Sequence, residues 1–172
     1  MKHVHTFKNF LNESASFKKK EDFSGKKWGT RLAGSIVYTF KSGGHDYILD
    51  FTIDDYIANK EKGYSYILRS DIKTKKKEFE LVKTGSTFEL ISTVKNIHKD
   101  AIEDLQKFNY DIRGLNVYYS IESEGEKNTR AIIFNRAIAA ALLDLGISYD
   151  VKNYQEARLN KDVFEYKFKN DV

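Results

Sequence analysis

The sequence predicts a single α+β domain in which an antiparallel β-meander is followed by a β-α-β-α-β run. Three observations carry that expectation. Four strand-like stretches between Gly34 and Lys83 are joined by short polar loops. Two later stretches, after Ser86 and after Asn128, repeat apolar residues at helical spacing. One strand-like segment, Leu115–Ile121, lies between them, and another, Val163–Lys169, follows.

At 172 residues the chain is long enough for one domain with a sizeable core. Its 41% hydrophobic content is that of a globular protein rather than a disordered one. The absence of cysteine excludes a disulfide framework and any Cys-based zinc site. Proline is absent too, so turns must come from Gly, Asn, Asp and Ser. The net charge of +4 is modest and spread out, which permits nucleic acid as a partner through the Lys clusters without demanding it. No apolar run approaches the roughly 20 residues that span a bilayer. The N-terminus lacks the apolar core of a secretory signal. The expectation is a soluble chain with no membrane partner.

In chain order, residues 1–23 read as an N-terminal amphipathic arm and 24–172 as the domain. Val4, Phe7, Phe10 and Leu11 form one apolar stripe on a helix, the form a docking peptide takes in a partner's groove. The Lys18-Lys19-Lys20 run ends that pattern, and the Gly- and Lys-containing stretch around Trp28 reads as a linker. Gly34–Phe40 alternates as a strand, and Gly43-Gly44 supplies the positive-φ positions of a hairpin. In Asp46–Asp54, Tyr47, Leu49, Phe51 and Ile53 share one face, with Asp46, Asp50, Thr52 and Asp54 opposite. Tyr64–Ser70 and Glu78–Lys83 complete the meander.

Ser86 and Glu89 fit a capping box at the start of the first long helix. Its inward face would carry Ile91, Val94, His98, Ala101, Ile102, Leu105 and Phe108. No Cys or second His shares the turn of His98, so it reads as a packed histidine. Asn128 caps the second helix, whose inward face holds Ile133, Phe134, Ala137, Ile138, Ala141 and Leu145, and Gly146 stops it. The stretch from there to Val163 reads as a polar loop.

Two resemblances bear on function. Met1-Lys2, then Phe7, Phe10, Leu11, Asn12 and Glu13, resembles the N-terminal peptides of many tailed-phage proteins; in the T-even type such leaders target internal proteins into the prohead. That implies virion or assembly proteins as partners, and a location in the virion or the host cytoplasm. The order of elements over Gly34–Leu145 is similar to the GNAT acetyltransferase fold. There a turn after the fourth strand holds the pyrophosphate of acetyl-CoA, and a later helix carries an N-x-x-A-x-x-Leu-Tyr pattern. The turn corresponds to Thr84, Gly85 and Ser86, and the pattern to Asn128, Ala131, Phe134 and Asn135. The family's glycine-rich loop is reduced to Gly85. Its general-acid Tyr is replaced by Asn135, or by Phe134 if the register slips by one, and neither transfers a proton. The same stretch resembles tailed-phage domains of GNAT-like shape through Thr84-Gly85, Thr93-Val94 and the helix from Arg130 to Arg136.

Asp46, Asp50 and Asp54 form an acidic row that a metal-dependent nuclease could use, but such rows on a wet sheet face usually serve solubility. The expectation is therefore a non-catalytic protein with no metal and no cofactor, acting through protein contacts. The enzyme alternative is an acetyl-CoA-dependent N-acetyltransferase, and a nucleic-acid-binding module is the third reading.

Overall fold

The computed structural model describes residues 14–21, 27–28, 31–32, 34–59, 63–74, 84–107, 110–120, 129–158 and 161–169. Nine strands and two helices are described: β1 (Phe17–Glu21), β2 (Lys27–Trp28), β3 (Arg31–Leu32), β4 (Ser35–Ser42), β5 (His45–Asn59), β6 (Gly63–Thr74), α1 (Thr84–Lys107), β7 (Asp111–Ser120), α2 (Thr129–Asp144), β8 (Tyr149–Glu156) and β9 (Lys161–Phe168). Seven strands make one sheet in the order β1-β4-β5-β6-β7-β9-β8, and β2 and β3 form a separate two-stranded ribbon.

Alternation in β4 and β5 starts the sheet. Gly43 and Gly44 turn the chain at φ 57° and 80°, a left-handed pair that glycine adopts without a Cβ penalty. The resulting register sets Ile36 against Phe51, Tyr38 against Leu49 and Phe40 against Tyr47 on one face. β6 adds antiparallel to β5, and β7 adds parallel to β6. A parallel neighbour cannot be reached by a hairpin, so α1 provides the crossover.

Both helices pack on the same face of the sheet, leaving two layers. The α1 residues Val94, Ile97, Ala101, Ile102 and Leu105 are fully buried in one core with Tyr38, Leu49, Phe51 and Leu68 of the strands. Alanines 131, 137 and 141 are buried on α2, where small side chains let the helix lie close to its neighbours.

His98 sits at the centre of this layer without exposure. Its Nδ1 donates to the Val94 carbonyl at 2.8 Å, so its Nε2 accepts from the Ser70 hydroxyl at 3.0 Å. The Phe51 ring meets it edge-on at 4.9 Å. Burial pushes the imidazole pKa down to about 4, against the pull of the Val94 carbonyl bond. Gly114 is the second tight point. A Cβ there would lie 2.8 Å from the backbone oxygen of Tyr166, and just before it β7 bulges at Arg113 against β6.

The expected antiparallel meander followed by β-α-β-α-β, drawn from a GNAT-like layout, does not describe this chain. The finding is a strand-rich mixed sheet of seven strands with two helices. Phe17–Glu21 is the first edge strand, bonded to β4, although its three lysines resemble a solvated run. β5 and β6 reach 15 and 12 residues, longer than their apolar alternation. The span expected to be a polar loop contains β8, and β9 inserts between β7 and β8. The helix expected to begin after Ser86 begins at Thr84. The expected fourth meander strand, Glu78–Lys83, lies outside the described residues. The inward face of α1 also includes Leu90 and Ile97.

Two outcomes follow. Gly114→Ala should destabilise the fold by about 1–3 kcal/mol in denaturant unfolding, since β9 backbone cannot step aside as a side chain would; an unchanged midpoint would show that the two strands separate freely. For His98, the native state stays neutral while the unfolded chain takes a proton below about pH 6.5. Its contribution is therefore complete above that pH and is lost as pH falls toward about 4, by about 3 kcal/mol in total. His98→Gln should flatten this part of the stability–pH curve, measured by urea unfolding between pH 7 and pH 4.

Candidate functional site

The residues expected to form a nucleotide-binding turn do not form a turn. Thr84, Gly85 and Ser86 are the first turn of α1, and their side chains lie outside the described residues. Val4, Phe7, Phe10 and Leu11 lie outside them as well, as does Asn128.

The position expected to replace a general acid has a clear occupation. The Asn135 amide oxygen accepts from the Tyr166 hydroxyl at 2.7 Å and from the Tyr119 hydroxyl at 3.3 Å. Phe134 stacks on the Tyr119 ring, with centroids 6.0 Å apart and planes within 4°. Burial holds both tyrosine hydroxyls well above their usual pKa, so they act as donors that tie β7 and β9 to α2. Thr93 serves α1 in a comparable way. Its hydroxyl donates to the Glu89 carbonyl and accepts the backbone N–H of Ala15, which anchors the chain as it enters β1.

The opposite face of the sheet carries a charged network. The register of β5 on β6 slips between Ile53 and Asp55, and this bulge turns Asp54 toward the middle of that face. One Asp54 oxygen accepts from Asn116 Nδ2 at 2.6 Å and from the Tyr118 hydroxyl at 3.0 Å. Arg69 lies 3.9 Å from the other oxygen, and its guanidinium sits 3.9 Å from the centre of the Tyr118 ring. Asp71 takes Arg69 Nε at 2.6 Å and Lys161 Nζ at 2.9 Å, which links β6 to β9 across β7. Burial pushes the Asp71 carboxyl up, and the bonds from Arg69 and Lys161 outweigh it, leaving the group below the usual carboxylate range. Burial and the Asp54 carboxylate keep the Tyr118 hydroxyl protonated.

The acidic row does not converge. Asp46 stands 3.6 Å from Lys41, whereas Asp54 belongs to the Asn116–Tyr118 cluster. Residues four apart on a strand are about 13 Å apart, too far for one ion. Among the described residues no group of three or more His, Asp or Glu could hold a metal.

The lysine clusters divide in the same way. Lys19 turns to the helix side and pairs with Glu21 at 2.7 Å, Asp100 at 2.9 Å and Asp104. Lys18, Lys20 and Lys73 are exposed. Next to Lys18, a groove of about 580 Å³ runs between Phe17, Phe40, Tyr47, Lys41 and Asp46. No described helix is long and apolar enough to cross a membrane.

Among the described residues nothing pairs with the far edge of the sheet. β8 bonds to β9 on one side only, and residues 151–155 are all exposed. Val151 is 51% exposed and Tyr154 41%, large values for apolar and aromatic side chains in a strand. Leu143 and Ile132, on the outer side of α2, are exposed at 77% and 49%. An edge strand presents a row of unpaired backbone donors and acceptors to the next chain. Val151, across from Tyr166, and Tyr154, across from Val163, put one apolar and one aromatic side chain beside that row, on opposite faces of the sheet.

No protein-family model matches the chain, and no curated protein or solved structure does either. The geometry therefore has to carry the functional reading. Sequence reasoning identified the wet face of β5 but missed Arg69, Asn116, Tyr118 and Lys161. The signal available for the first three was the alternation of β6 and β7 taken together with the β5 acids, and for Lys161 the alternation of β9. β8 had no such signal, since both of its sides face water.

Asp71→Asn removes the charge between two cations. It should cost about 1–3 kcal/mol at pH 7, measured by urea unfolding. Because Asp71 is held below its unfolded pKa, its contribution is present at neutral pH and is lost as pH falls through the acid range. The gap between variant and wild type should accordingly narrow by pH 3.

Proposed function

We propose that the chain acts by association, as a non-catalytic component of a tailed-phage particle or of its assembly machinery, and that it holds other proteins through its surface. The single observation that carries the association is the β8 edge, unpaired among the described residues, with Val151 and Tyr154 exposed on it and Leu143 exposed on α2. The phage setting is supported by the resemblance of the leading peptide, whose stripe of Val4, Phe7, Phe10 and Leu11 has the spacing of a groove-docking helix.

Strand addition suits such a role. Backbone hydrogen bonds supply adhesion along the edge, and alternate side chains select the partner. The networked face behind β8 keeps the strands in register while the edge is engaged.

Particles and assembly intermediates purified from infected cells should contain the chain when analysed by mass spectrometry. Absence from both would overturn the phage role. Calorimetric titration of the purified chain with acetyl-CoA should give no binding heat, and a saturable signal would overturn the non-catalytic reading.

A further inference from the structure

The β8 edge is complementary to itself. From Lys152 to Glu156 the chain reads Lys-Asn-Tyr-Gln-Glu. Laid antiparallel on a second copy with Tyr154 opposite Tyr154, it sets Lys152 against Glu156 twice and Asn153 against Gln155 twice. Every position then meets a partner of matching chemistry. We propose that two copies of this chain join edge to edge through β8 in this register, doubling the seven-stranded sheet. This rests on the association reading and names a second copy as the partner.

The pairing of β8 with β9 decides which side each group occupies. Lys152, Tyr154 and Glu156 stand across from Glu165, Val163 and Lys161, so all three lie on the networked face. Asn153 and Gln155 lie on the helix side. Both ion pairs and the Tyr154 contact therefore form on one surface, and both helix layers stay on the other. Directly opposed ion pairs and aromatic pairs are the units that stabilise a strand seam.

Competing registers are poorer. Backbone donors and acceptors face the free edge at every second residue, so a slip by one residue would misalign them and would break the Lys152–Glu156 match. A slip that sets Asn153 against Asn153 opposes Asp150 to Glu156, and one that sets Lys152 against Lys152 opposes like charges. Centring on Val151 would use Asp150, which already holds Lys169 at 2.8 Å.

The other edge of the sheet cannot do the same. Antiparallel pairing of β1 with its copy through Lys19 would oppose Lys18 to Lys20, a repulsive arrangement that guards an edge strand. One edge is thus closed to self-pairing and the other is built for it. Five paired residues bury less than the roughly 1,600 Å² of a standard interface, so the dimer should form at micromolar rather than nanomolar concentration.

Sedimentation of the full chain from low to high micromolar concentration tests this. The wild type should move from 20.0 kDa toward twice that mass. Lys152→Glu alone, or Glu156→Lys alone, turns both ion pairs into like-charge contacts and should weaken the dimer about tenfold or more. Mixing these two variants should restore it, as should combining both substitutions in one chain. The restored variants also show that the substitutions leave the fold intact. A wild type that stays at 20.0 kDa throughout overturns the self-pairing. So does a dimer that single and double charge variants weaken equally. If the chain is monomeric yet present in particles, self-pairing fails while the association reading stands.

Discussion

The parallel alignment of β7 on β6 is the constraint from which the rest of this structure follows. It forces the chain to leave the sheet after β6, run back as α1 and re-enter beside the strand it left. That crossover covers the apolar face, where Tyr38, Leu49, Phe51, Leu68 and Val117 are buried. His98 stands where α1 crosses β6, and its bond to Ser70 fixes the helix along the strands. The opposite face carries a charged and polar network built from Asp54, Arg69, Asp71, Asn116, Tyr118 and Lys161.

β9 then takes the place beside β7, which leaves β8 as the outermost strand. The two edges of the sheet are managed differently. β1 carries Lys18 and Lys20 on its wet side and is held by Lys19 reaching back to Asp100 and Asp104 of α1. β8 has alternating charge, an exposed valine and an exposed tyrosine. In the first edge the charges repel a further strand; in the second they are arranged to receive one.

The legible parts of the sequence were those where burial imposes a period. β4 and β5 have one dry face each, so Ile36, Tyr38, Leu49 and Phe51 announced both strands and their facing. Gly43-Gly44 announced the turn between them. The helices were legible for the same reason, and so was His98 as a packed side chain, since Val94, Ala101 and Leu105 flank it at helical spacing. β8 was illegible because an edge strand that faces water on both sides has no apolar period: Asp150, Lys152, Asn153, Gln155 and Glu156 look like a loop. β1 was hidden by its lysines. The networked face was half legible. Asp54 showed in β5, but its partners sit in β6 and β7, and only the register brings them together.

That register also explains why the candidate edge can present a defined surface. A strand at the margin of a sheet frays unless something fixes its neighbour. Here Lys161, at the start of β9, reaches across β7 to Asp71 in β6, and Tyr166 of the same strand is tied through Asn135 to α2. β9 is therefore held from both faces, and β8 is laid along it from Tyr149 to Glu156. Tyr149 adds an edge-on contact to Tyr166 at 5.3 Å, which carries the order of β9 into the outer strand. A surface so fixed loses little conformational entropy when a partner strand arrives. The polar network and the tyrosine pair on Asn135 thus support the edge from behind, and the capacity to receive a strand derives from groups that never touch it.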